Sequence, residues 1–245
     1  MGYRVFLAGA SGAIGRRLAP LLRAAGHDVA GTTRSPAKAD ALRAAGFTAV
    51  VVDVFDADAL SRAVAAFRPE IVIHQLTDLP AGLAPDQMAA AIANNARIRD
   101  EGTRNLVAAA GAAGARRMVA QSIAWAYAAG PEPHTEADPL DLAADGPRGT
   151  SVRGVAALEQ HVLNAPPIEG VVLRYGRFYG PGTGVDAPPQ GVALHVDAAA
   201  HAAMLAMDHG EHGIFNIAEP GGPVSAEKAH ADLGWHADFR LPVSS

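Results

Sequence analysis

Short apolar runs recur along the chain, each followed by a polar or glycine-containing turn and then by a stretch with helical spacing. The runs are Val5–Ala8, Asp28–Thr33, Thr48–Val52, Ile71–Gln75, Arg117–Ser122, Gly170–Tyr175 and Ile214–Ala218. Strands that are apolar on both faces belong in a parallel sheet covered on both sides. Helical patterns fill the gaps at Ile14–Ala25, Pro36–Ala45, Asp58–Phe67, Asp86–Ala113 and Val152–Asn164. Gly26 and Gly46 stop the first two, and Asp56 or Asp58 caps the third. The alternation predicts a doubly wound α/β fold. Its ligand crevice should lie beyond the carboxyl ends of the strands, near 9–15, 33–35, 53–54, 75–77, 121–127 and 174–181. The Pro/Gly-rich stretches 130–149 and 180–192 are expected as long loops at that edge.

The first strand runs into Gly9-Ala10-Ser11-Gly12-Ala13-Ile14-Gly15. Glycines at this spacing, between a strand and a helix, suit a dinucleotide pyrophosphate and make the fold Rossmann-type. Gly9 permits the tight turn, Gly12 leaves the backbone open to phosphate, and Gly15 lets the helix approach the sheet. The other bulk features mainly remove alternatives. The 245 residues are 49% hydrophobic and 18% charged, as expected of one globular domain, with a net charge of −5 that gives nucleic acid no footing. With no cysteine there is no disulfide, thiolate metal site or cysteine nucleophile, and the histidines show no metal-ligand spacing. No signal peptide or membrane helix is recognised, so a cytoplasmic protein is expected. The abundant alanine looks like genome composition.

Further motifs make the chain similar to the short-chain dehydrogenase/reductase superfamily, in its extended, epimerase/dehydratase-like branch. They include Asp53-Val54, His74, Glu101-Gly102-Thr103-Arg104-Asn105-Leu106, Gln121-Ser122 to Tyr127, Arg174 to Gly182, His195-Val196-Asp197, Phe215-Asn216 and Leu233-Gly234-Trp235. The resemblance implies cofactor contacts from Gly9, Ser11, Gly12, Ala13, Ile14 and Gly15. It also implies that Asp53 accepts from the adenine amino group with Val54 beside the ring, unless Asp53 is simply a helix cap. Leu76 and Thr77 would pass the adenosine ribose, and the Tyr175 backbone would approach the nicotinamide carboxamide. Relatives that prefer NAD place an acid after the second strand. This chain has Thr33, Arg34 and Ser35 there, a set suited to a 2′-phosphate, so NADP is expected, with NAD as second choice. A homodimer is implied through the two long helices, with Ala89, Ala93, Ala96 and Val107-Ala108 as small, close-approach positions, unless they merely cover the sheet.

Two departures matter. The family's Tyr-x-x-x-Lys pair is absent: Ser151 and Val155 take its places, and the only lysines are Lys38 and Lys228. The serine or threonine of the fifth-strand motif aligns with Ile123, and only Gly182–Leu194 separates Gly180-Pro181 from His195, so the substrate region is shortened. The expected layout is one Rossmann-type domain over 1–245, with 180–195 and 219–245 as a reduced substrate side. The candidate catalytic residues are Arg99, which replaces an asparagine and could clamp a carboxylate or phosphate, Ser122 and Tyr127. An NADP-dependent oxidoreductase acting on a small carbonyl or alcohol is the leading expectation. A non-catalytic NADP(H)-binding sensor or interaction protein is the alternative.

Overall fold

β1 (Arg4–Ala8) is apolar on both faces, with Val5 and Leu7 in one buried layer and Phe6 and Ala8 in the other. This alternation in an unbroken apolar strand puts β1 at the middle of the sheet. The structure, a computed structural model, describes residues 2–79 and 85–242. After β1 follow α1 (Ala13–Ala24), β2 (Asp28–Thr33), α2 (Pro36–Ala44), β3 (Thr48–Val51), α3 (Ala57–Phe67) and β4 (Ile71–His74). A long helical run comes next, then β5 (Arg117–Ile123), α6 (Gly146–Leu163) and β6 (Glu169–Tyr175). The chain ends through β7 (Arg177–Tyr179), β8 (Ala193–His195), α7 (Val196–Leu205), β9 (Gly213–Ile217) and α8 (Glu227–Leu233). The main sheet has the order β3-β2-β1-β4-β5-β6-β9, with every pairing parallel. Winding reverses between β1 and β4, which opens a crevice at their carboxyl ends.

The seven expected strands all form, with no end shifted by more than one residue. The expected helix over Asp86–Ala113 is composite: a 3₁₀ turn, α4 (Met88–Arg97), a π turn (Ile98–Gly102) and α5 (Thr103–Ala112). α6 starts at Gly146 rather than Val152, because Pro147 falls in its first turn, where a missing N–H costs nothing. Asp56, not Asp53, caps α3 by accepting from Ala59 N at 2.9 Å.

Two apolar layers sandwich the sheet. α1, α7 and α8 bring Leu18, Leu22, Ala199, Ala203 and Leu233 to one face. α3, α5 and α6 bring Leu60, Val64, Leu106, Leu158 and Val162 to the other. α4 lies close on α6, where a Cβ on Gly154 would stand 2.9 Å from the Ala96 Cα. Ala96 is therefore used within the chain, and Val107 packs against the second layer.

Candidate active site

The crevice encloses about 840 Å³ over the carboxyl ends of β1, β2, β4 and β5. Its first wall is the turn from β1 into α1. Gly9 has φ +91°, and a Cβ there would come within 2.6 Å of the Gln75 carbonyl oxygen. Gly12 N donates to Gly9 O at 3.0 Å, closing the turn, and Gly12 is the N-cap of α1. Gly9, Ser11, Gly12, Ala13 and Ile14 all line the space, so the free N–H groups and positive end of α1 face it. Gly15 does not line it. A Cβ there would sit 2.3 Å from Gly9 O, so its bareness serves close packing of helix on turn.

The end of β2 forms the second wall. Thr33 Oγ1 accepts from Ser35 N at 3.2 Å, and Ser35 Oγ caps α2 by accepting from Lys38 N at 3.4 Å. Thr33, Arg34, Ser35 and Lys38 all line the crevice. Arg34 Nη2 lies 2.8 Å from Asp78 Oδ1 in an exposed pair. Beyond β3, Asp53 accepts from Phe55 N at 3.0 Å and lines the crevice beside Val54, Leu76 and Thr77. Gln75 lines it too; its Nε2 is 3.5 Å from the Tyr175 hydroxyl, and its buried Oε1 has no partner among the described residues. A bare glycine cradle, a helix N-terminus and an orphaned buried acceptor fit a nicotinamide dinucleotide along this wall.

The far end is lined by Arg99, Gln121, Ile123, Trp125, Ser151, Arg177 and Phe178. Ser151 therefore faces the crevice from the position of the missing tyrosine. Val155 is fully buried with Ile123, Ala126 and Val152, and it offers no charge in place of the lysine. Arg99 projects from the π turn, a local widening that re-aims side chains on a helix. Burial pulls its pKa from the arginine range down to about 10, against the opposing pull of the Glu159 charge. That carboxylate is already occupied. Glu159 Oε1 accepts from Ser122 Oγ at 2.8 Å and from Arg174 Nε at 2.8 Å, and its Oε2 accepts from Arg174 Nη2 at 2.6 Å. Arg99 has neither a hydrogen bond nor an ion pair among the described residues.

Two of the expected catalytic residues lie in this network and not in the crevice. Ser122 is fully buried and donates to Glu159. Tyr127 donates to Asn216 Oδ1 at 2.6 Å and accepts from Arg174 Nη1 at 2.9 Å, with its ring stacked on His134. Burial raises the Tyr127 pKa, and Arg174 and Asn216 only partly oppose it, so the phenol stays protonated. Burial also works against the Arg174 charge, but the hydrogen bonds and charge of Glu159 outweigh it and raise that pKa. A serine and a tyrosine already committed to buried partners cannot serve a reacting atom in the crevice. Tyr175 is corrected likewise. It is fully buried, its hydroxyl donates to Ala199 O at 3.2 Å, its carbonyl accepts from Ala124 N at 2.9 Å, and it does not line the crevice.

The structure adds Lys38, Gln75, Gln121, Ser151 and Arg177 to the lining. Lys38 was within reach of sequence spacing, three residues past a capping serine. Gln75 and Arg177 lie in stretches expected at the crevice edge, but their side-chain types carry no local signal that singles them out. No described helix is long and apolar enough to cross a membrane.

The parallel sheet, its switch point and the glycine cradle define a dinucleotide-binding protein. The model of the NAD dependent epimerase/dehydratase family matches residues 5–202. A Streptomyces protein described as a 3-diazoavenalumate denitrifying reductase is 44% identical over 238 residues, covering 88% of this chain and 76% of its own. The UDP-glucose 4-epimerase of Thermotoga maritima superposes with a TM-score of 0.77 at 18% identity, covering 97% of this chain and 94% of that one. The Bordetella bronchiseptica enzyme WbmG, solved with NAD, gives 0.73 at 21% identity over 98% of this chain and 91% of that one. The chain belongs to the NAD-dependent epimerase/dehydratase family and is an oxidoreductase of the short-chain dehydrogenase/reductase type.

Proposed function

We propose that the protein is an NADPH-dependent reductase of a small anionic substrate whose reduction takes hydride without a proton from the protein. The observation that carries this reading is the pair of Ser151 facing the crevice and Val155 buried beside it, in a site whose cofactor wall is intact. Reducing a carbonyl leaves an alkoxide that must be protonated, the task of the family's tyrosine and lysine. Bound reduced nicotinamide supplies hydride, and a diazo-bearing aromatic carbon can take it with no proton at all. There the new C–H bond forms from the hydride pair, the C–N bond breaks, and its electrons leave with dinitrogen. The name of the Streptomyces relative describes reductive loss of nitrogen from a diazo carboxylate, which supports this class of substrate over a carbonyl or alcohol.

In this reading the α1 N-terminus and Gly12 hold the pyrophosphate, and Asp53 and Val54 hold the adenine. Arg34, with Thr33, Ser35 and Lys38, favours a 2′-phosphate, since no acid of β2 stands there to repel it. Ile123, Trp125 and Phe178 keep water from the reacting carbon. The partner is a small molecule, and the chain acts as a homodimer.

The test is anaerobic turnover of NADPH with a hydroxyaryl diazo carboxylate and, separately, a carbonyl panel, each against an enzyme-free control. NADPH loss matched one-to-one by dinitrogen supports the reading. Carbonyl turnover with an inert diazo acid overturns it.

A further inference from the structure

We propose that Arg99 is the carboxylate anchor of the substrate site, and that the site takes a flat conjugated acid seated against Trp125 and Phe178. The proposal rests on the reductase reading for there being a substrate, and goes further by naming the group it is held by and the residue that holds it.

Arg99 is half-buried, and a guanidinium partly shielded from water against an apolar wall gains from an anion or from hydrogen bonds that fill its fork. Arg99 lines the crevice with neither among the described residues. Glu159, the acid whose charge acts on Arg99, is fully engaged by Arg174 and Ser122. His74, also close enough to feel the Arg99 charge, is neutral and bonded to Thr103 at 3.0 Å and to Leu76 N at 3.2 Å. Among the described residues Arg99 has no partner, and a ligand in the crevice can supply one. A carboxylate matches the fork of an arginine with two parallel hydrogen bonds.

The surroundings restrict the rest of the ligand. Ile123, at the end of β5 beside Trp125, adds an apolar side chain to this end of the crevice, and Val185 and Pro189 also line the space. The two aromatic walls are fixed before anything binds. Arg177 lies over the Trp125 ring at 5.2 Å, and Phe178 meets the Tyr175 ring edge-on at 5.5 Å. Rigid aromatic walls favour a flat, conjugated body over a hydroxyl-rich sugar. The segment 182–194, short by the standard of the family, contributes only Gly182, Thr183, Val185 and Pro189 and adds no charged residue of its own, while Arg177 is held over the Trp125 ring.

Two sources of anion are separable, a substrate carboxylate and a cofactor phosphate. The experiment measures quenching of tryptophan fluorescence in the NADP⁺-loaded protein by trans-cinnamate and by its methyl ester. Trp125 reports on the site; Trp235 is buried elsewhere, donating to Ala198 O at 2.8 Å. The acid should bind wild type about tenfold to a hundredfold more tightly than the ester, the range for hydrogen bonds to a charged group. Arg99→Gln should bring the acid down to the ester's affinity while leaving the ester and NADP⁺ unchanged, with the same near-ultraviolet circular dichroism.

Four outcomes overturn the proposal: equal binding of acid and ester by wild type, undiminished acid binding by Arg99→Gln, a parallel loss of NADP⁺ affinity, or no acid binding at millimolar concentration. The acid–ester comparison needs no variant, so it stands even if Arg99→Gln does not fold. Acid preference without diazo turnover would sink the reductase reading alone, whereas diazo turnover without acid preference would sink the anchor alone.

Discussion

Gly9 and Gly12 share a motif, yet a side chain at each would fail for a different reason. Gly9→Ala must hold φ +91° with its Cβ 2.6 Å from Gln75 O, so it should cost about 1–3 kcal/mol of stability, read from the urea midpoint. Gly12 has an ordinary φ of −76°, so Gly12→Val should keep the fold and fill the phosphate cradle. Calorimetry should then find no cofactor binding by a protein of near wild-type midpoint. Arg34 poses a separate question, because it is already paired with Asp78. That pair is exposed and worth about 0–1 kcal/mol, so a 2′-phosphate can displace it. Arg34→Ala should weaken NADP by about 1.5–3 kcal/mol and NAD hardly at all. Equal losses for both cofactors would remove the 2′-phosphate role. The cradle and the β2 end were legible in sequence because their chemistry is local, a spacing of glycines or a run of hydroxyls beside an arginine. Ser122 and Tyr127 were not, because their partners Glu159, Arg174 and Asn216 are brought in by other elements. Spacing showed that they neighbour the site but not which way they turn.

His74 joins two elements, closing β4 onto α5. Its ring accepts from Leu76 N and meets Thr103 Oγ1 at 3.0 Å, where the other nitrogen is the donor in the neutral ring. Burial, with help from the Arg99 charge, lowers its pKa from 6.5 to about 4. As pH falls below 6.5 the unfolded chain takes up this proton before the folded one, so the stability present above 6.5 drains away toward pH 4. Between pH 7.5 and 5 the loss from this one group should be about 2 kcal/mol. Urea titrations at the two pH values should show a flatter dependence for His74→Gln, and equal slopes would reject the assignment. Sequence patterns found the seven strands but missed α7, and composition is the reason. Its Ala198, Ala199, Ala200, Ala202 and Ala203 are fully buried, so a run that looked like genome bias is a helix packed over most of its surface. Its one charge, Asp197, is met by Arg17 Nε at 2.5 Å from α1, a pairing no local window contains. The π turn was equally hidden, since a one-residue widening leaves the apolar period on both sides intact.

At the scale of the whole molecule, cofactor and assembly both bear on stability. NADP at a hundred times its dissociation constant should stabilise the folded state by about 2.7 kcal/mol through mass action. Gly12→Val should show none of this gain, which separates binding from a general salt effect. Assembly turns on the outer surface of α4, α5 and α6. With Ala96 spent against Gly154 and Val107 against the inner layer, the small residues left facing outward are Ala89, Ala93 and Ala108. They are exposed, as are Arg153 and Gln160 of the neighbouring α6, so a second copy related by a twofold axis could bring backbones close at the small residues. Such a dimer would leave the crevice open, because the crevice lies at the strand ends and these helices cover a face of the sheet. Sedimentation at micromolar concentration should therefore give a dimer. Ala93→Arg, which puts two guanidinium groups near the axis without touching the buried side of α4, should give a folded monomer that binds NADP as before. A wild type that sediments as a monomer, or an Ala93→Arg protein that stays dimeric, would remove this surface from the assembly.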